Sequence, residues 1–102
     1  MEKMPLKSVK EQLAEVQGWE LEDEKWLIKK YRFLSFLDSI SFVNEIAKLS
    51  EEENHHPFIS VDFKVVTLKL TSWRAKGITE LDLKLIKKYD SLFGPYQINT
   101  SK

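Results

Sequence analysis

Cysteine is absent from this 102-residue chain, and glycine and proline occur three times each. Without cysteine there is no disulfide framework, no thiolate nucleophile and no Cys-based zinc or iron site. Net charge is lacking too: 16 basic and 16 acidic side chains cancel. The lysines are interleaved with acids, so the surface has no net field to draw in phosphate backbones or anionic lipid, and neither nucleic acid nor a membrane is an expected partner. No apolar run approaches the roughly 20 residues that span a bilayer. The start, Met1-Glu2-Lys3-Met4-Pro5, lacks the apolar stretch of a secretory signal. These absences predict a soluble, cytoplasmic protein. No internal repeat, low-complexity tract or linker divides the chain.

What is present is a core. Hydrophobic residues make up 42% of the chain, with six Phe, three Trp and three Tyr. A chain of this length buries roughly 60–70% of its unfolded surface, so one domain over residues 1–102, folding without disulfide or structural metal, is the expectation.

The apolar spacing then gives the elements. Leu6, Val9, Leu13 and Val16 recur at helical steps and predict a short helix stopped by Gly18. Trp19 to Glu22 alternates, Asp23 and Glu24 read as a turn, and Lys25 to Phe33 is rich in aromatic and branched residues, predicting a β-hairpin. Ser35 with Asp38 resembles a capping box. The helix that follows would bury a stripe of Phe36, Ile40, Val43, Ile46, Ala47 and Ser50, and would end by Pro57 at the latest. Ile59, Val61, Phe63 and Val65 alternate with polar residues as a strand with one buried face. Val66, Leu68 and Leu70 continue that rhythm, and the adjacent Val65 and Val66 predict a bulge or tight turn between the two stretches. Thr79 with Asp82 forms a second box of the capping type. Ile78, Leu81, Leu85, Ile86, Tyr89, Leu92 and Phe93 follow at helical spacing until Gly94-Pro95. Four strands, each with one apolar face, need a cover on that face. The fold class is therefore α+β: a four-stranded antiparallel sheet with the helices packed on one face. The tail from Tyr96 to Lys102 is expected to be loosely ordered.

The chain has two histidines, and they are neighbours, His55 and His56. An imidazole with an ordinary pKa of about 6.5 exchanges protons readily near neutrality. Consecutive side chains in an extended segment point opposite ways, so the pair needs separate roles. A bland reading stands beside the catalytic one, in which a helix C-terminus attracts histidine through its dipole. Metal binding is disfavoured, because no cysteine is available and Glu51, Glu52 and Glu53 read as a solvated helix face.

A longer pattern surrounds the pair. Glu51 precedes His55 by four, His55-His56-Pro57 is followed by Phe63, then Trp73, then Asp82, and Gly77-Ile78-Thr79 leads into that aspartate. This spacing resembles that of the pterin-4a-carbinolamine dehydratase family: a charged residue, His-His-Pro, an aromatic, a His or Trp, then an Asp. With Gly18-Trp19 and the aromatic run that follows, the similarity covers about residues 18–90.

The resemblance implies the same fold and the loss of water from a 4a-hydroxytetrahydropterin, giving a quinonoid dihydropterin, with no cofactor and no metal. It implies His55 as main general acid/base and His56 as a contact that orients the pterin. Glu51, Pro57, Trp73 and Asp82 complete the implied substrate site. Each keeps a structural alternative: an exposed acid for Glu51, a helix stop for Pro57, closure of a strand end for Trp73, a helix cap for Asp82. Many family members carry a third histidine where Trp73 stands, and indole donates a hydrogen bond but does not shuttle protons. The resemblance further implies a homodimer or homotetramer, and leaves open a non-catalytic pterin-binding or partner-binding role and one in molybdenum cofactor metabolism.

Overall fold

The computed structural model describes residues 2–97. Helix α1 (Leu6–Leu13) is followed by strands β1 (Glu20–Glu22) and β2 (Trp26–Arg32), helix α2 (Phe36–Glu53), strands β3 (Phe58–Asp62) and β4 (Val65–Leu70), and helix α3 (Glu80–Phe93). The four strands form one antiparallel sheet in the order β1-β2-β4-β3.

The register decides which face is covered. Leu27 pairs with Leu70 and Tyr31 with Val66, so the alternating Val66, Leu68 and Leu70 of β4 share one face with the inward residues of β2. That face packs on Phe42 and Ile46 of α2 and on Leu85, Ile86 and Tyr89 of α3, all essentially unexposed. Each such side chain contributes about 1.5–3 kcal/mol by leaving water. The core is aromatic around Tyr31, Phe33, Phe42 and Phe93, whose ring centroids lie 4.9–5.9 Å apart.

The helix ends follow their capping residues. At α2 the Ser35 hydroxyl accepts the Asp38 N–H at 3.1 Å, the hydroxyl half of the expected box. At α3 both halves are made. Helix α2 stops before Pro57 because Asn54 adopts a left-handed φ of 51°, which lets the His55 N–H reach back to the Ser50 carbonyl at 3.1 Å.

Several expectations are corrected. Helix α1 ends at Leu13 and gives way to turns through Val16. In α2 the buried stripe is Ser39, Phe42, Ile46 and Ser50, while Phe36 and Ala47 are exposed. The tight turn lies at Phe63-Lys64, two residues earlier than expected, since Asp62 already pairs with Val65. Phe63 is the left-handed residue of that turn (φ 56°) and is 66% exposed, so it is not a core aromatic. All of β3 is exposed. Ile59 and Val61 do pair with Leu68 and Val66 and share their face, but β3 is the sheet's edge, beyond the cover of the helices.

Tyr96 is not loose either: it ends a 3-10 turn (Gly94–Tyr96) with its ring against Phe33 and Phe42. The rest of the expected loose tail, from residue 98, lies outside the described residues. Among the described residues no helix is long and apolar enough to cross a membrane.

Candidate active site

The junction between α2 and β3 turns the two imidazoles into different surroundings. His55 points inward, its side chain 15% exposed, and its Nε2 lies 2.7 Å from Asp82 Oδ1. His56 points outward, 54% exposed, with Nε2 2.5 Å from Glu51 Oε2. Glu51 sits one turn back on α2, within reach of an imidazole just past the helix end. Pro57 is buried, and as a proline it holds His56 in extended backbone, which keeps the two rings apart.

Asp82 is fully buried and divides its two oxygens between two tasks. Oδ2 accepts the Thr79 N–H at 2.7 Å, which starts α3, and the Ser72 hydroxyl at 2.7 Å, with the Thr79 hydroxyl at 3.2 Å. Oδ1 is left for His55. With Oδ2 accepting from donors on Thr79 and Ser72, the Asp82 carboxylate serves as an acceptor, and an imidazole facing Oδ1 pairs with it by donating from Nε2. The His55 Nδ1 has no hydrogen-bond partner among the described residues. The helix cap, the structural alternative for Asp82, is made by Oδ2, and the same side chain holds His55 through Oδ1.

Beside His55 opens a cavity of about 380 Å³ whose wall includes Asn54, Ser72, Trp73, Arg74 and Leu81. Trp73 lies past the end of β4, 62% exposed. Its ring stands edge-on to Trp26 at 5.0 Å and tilted against Phe58 at 5.9 Å, with the Lys69 ammonium 4.7 Å over Trp26. These residues lie on the sheet face away from the helices, where the parity of Trp73 places it. Trp73 therefore closes the strand end and also walls the cavity. His56 and Glu51 are not part of that wall. Among the described residues no cluster of three or more metal-ligating side chains forms.

Ser72 and Arg74 escaped the sequence reading. Ser72 has the inward parity of Leu68 and Leu70, and a hydroxyl on the buried side of a strand end requires a partner. That signal was available. Arg74 stood out in the sequence only as one of two arginines among 16 basic residues, which does not place it at a site.

A second polar node lies elsewhere on α3. Asp90 accepts the Tyr31 hydroxyl at 2.6 Å, the Lys29 ammonium at 2.8 Å and the Trp19 indole N–H at 3.2 Å. Burial pushes the Tyr31 phenol well above its ordinary range, and the hydrogen bond to the neighbouring Asp90 carboxylate adds to that rise.

The family model described as pterin 4 alpha carbinolamine dehydratase matches residues 2–92. This chain belongs to that family. A protein of Sulfurisphaera tokodaii, named as an inferred pterin-4-alpha-carbinolamine dehydratase, is 34% identical over 92 residues, covering 90% of this chain and 98% of its own. One of Aquifex aeolicus, named likewise, is 40% identical over 90 residues, covering 88% and 90%. Among solved structures, a transcriptional coactivator/pterin dehydratase from Brucella melitensis superposes with a TM-score of 0.86 at 25% identity, over 90% of this chain and 99% of that one. A pterin dehydratase-like protein identified as a RuBisCO assembly factor in the alpha-carboxysome gives 0.67, also at 25% identity, over 78% and 96%. The fold and family expected from the sequence are the ones found.

Proposed function

We propose that this chain dehydrates a 4a-hydroxytetrahydropterin to the quinonoid dihydropterin, with His55 as the proton-transfer group. The observation that carries this reading is an imidazole held through one nitrogen by a buried carboxylate, beside a cavity, with its other nitrogen free.

The reaction breaks the bond between ring carbon 4a and its hydroxyl, which leaves as water after gaining a proton. The adjacent ring nitrogen loses its proton, and that electron pair closes the carbon–nitrogen double bond. One proton is taken and one is given, with no change of redox state. His55 Nδ1 accepts the first, and the resulting imidazolium, held by Asp82, returns a proton to the departing hydroxyl. A positioned acid/base of this kind accelerates a reaction by about 10²–10⁴-fold. Trp73 offers a flat apolar wall to the pterin ring and takes no part in proton transfer. His56, braced by Glu51, serves as an outer contact to the substrate.

The test is the decay of 4a-hydroxytetrahydropterin, generated in situ by a hydroxylase and followed in the ultraviolet. The wild-type protein is expected to accelerate it, and His55→Ala to lose about 100-fold or more of that acceleration. Equal rates for the two would remove His55 from the chemistry. One observation favours a second reading: an indole stands where the resemblance implies a third acid/base. A protein that bound a pterin without ever accelerating its decay would be a binding module on the same fold.

A further inference from the structure

The cavity beside His55 has a one-sided wall. Arg74 is its permanent charge, and no carboxylate lines it among the described residues. Asp82, the acid that holds His55, is buried with both oxygens engaged. Arg74 itself is exposed and makes no ion pair among the described residues. The chain is otherwise built with lysine: its 16 basic residues include arginine only at positions 32 and 74. Guanidinium differs from ammonium where an anion has two oxygens to offer, because its planar fork binds carboxylate or phosphate through paired hydrogen bonds. Arg74 also follows Trp73 directly, so the flat wall and the fork belong to the same stretch of one cavity.

We infer that this cavity prefers pterins whose side chain carries a phosphate, and that Arg74 is the residue that sets the preference. The inference rests on the pterin reading above and deepens it. The ring lies against the indole near His55, and the side-chain phosphate meets the guanidinium. A neutral polyol side chain leaves Arg74 solvated and gains nothing from it.

The experiment is calorimetric titration of the full chain with 7,8-dihydroneopterin, its monophosphate and inorganic phosphate. Wild type is expected to bind the monophosphate at least about tenfold more tightly than the unphosphorylated compound, with the ratio shrinking as salt screens the charge. Arg74→Ala should abolish the ratio by weakening the monophosphate at least about tenfold more than dihydroneopterin, and Arg74→Lys should restore only part of it. Equal affinity for both pterins in the wild type, or a ratio that survives Arg74→Ala, overturns the inference and leaves the pterin reading standing. Inorganic phosphate binding as tightly as the monophosphate also overturns it, as a general anion site. If neither pterin binds, the inference falls, and the pterin reading is decided separately by the decay of 4a-hydroxytetrahydropterin.

Discussion

Helix α3 presents two aspartates, Asp82 and Asp90, about 12 Å apart along its axis, and each collects hydrogen bonds from other elements. Asp82 gathers Ser72, Thr79 and His55. Asp90 gathers Trp19, Lys29 and Tyr31. As polar nodes in a small core they are alike, and a search for clustered charge would return both. The difference lies in what they hold. Indole does not titrate, and ammonium and phenol change charge far above neutrality, so the Asp90 node stores stability. Imidazole can both donate and accept a proton and here sits beside a cavity, so the Asp82 node is the candidate for proton transfer. A carboxylate cluster becomes a candidate site through its partners and the space beside them.

Asp82→Asn breaks this contrast most severely. If the amide oxygen keeps the bonds to Thr79 and Ser72, its NH₂ must face His55, which forces the imidazole to accept at Nε2 and moves its proton to the working Nδ1. The dehydration rate should fall by about 100-fold, while thermal melting reports a loss of only about 1 kcal/mol at the cap. Asp90→Ala should show the inverse. It leaves the buried Tyr31 hydroxyl unpaired at a cost of about 2–3 kcal/mol, which lowers Tm by about 10–15 °C, yet the rate per folded molecule should equal that of wild type. A large drop in that rate would mean the two nodes are coupled through α3.

The smallest effect concerns alkaline pH. The Tyr31 phenol is held above its ordinary value, chiefly by burial, as is Tyr89, against the opposing effect of the Ser50 hydroxyl. The unfolded chain therefore loses these protons first, at about pH 10. Below that pH they leave stability unchanged, and above it stability falls as pH rises. Tyr31→Phe should show a shallower decline in urea midpoints from about pH 10 upward. An unchanged slope would show that this phenol ionises in the folded state as easily as in the unfolded one.

Most of the fold is legible in the sequence because helices and strands bury different periodicities. The alternation of Val66, Leu68 and Leu70, the Thr79–Asp82 box and the turn at Asp23-Glu24 all appear where the pattern puts them. Pattern fails where position in the sheet overrides it. Ile59 and Val61 alternate like buried residues but lie on an edge strand, and Phe63 looks like their continuation although the chain reverses there. The site was legible as residue types and only partly as geometry. The family resemblance singled out His55, Glu51 and Asp82, but the pairing of His55 with Asp82 comes from long-range packing of α3 on the α2–β3 junction. Ser72 was legible only as an inward-facing hydroxyl, and the place of Ser72 and Arg74 in one wall became visible only with the cavity.

The double duty of Asp82 bears on how the history of such proteins is traced. A descendant that abandoned the reaction would still need a side-chain oxygen here to begin α3, because the oxygen that caps the helix is not the one that holds the imidazole. Inheritance of Asp or Asn at this position thus follows folding and is silent about turnover. His55 has no cap to maintain with its ring, so on the proposed reading drift at that position is where a lineage would first record a loss of turnover.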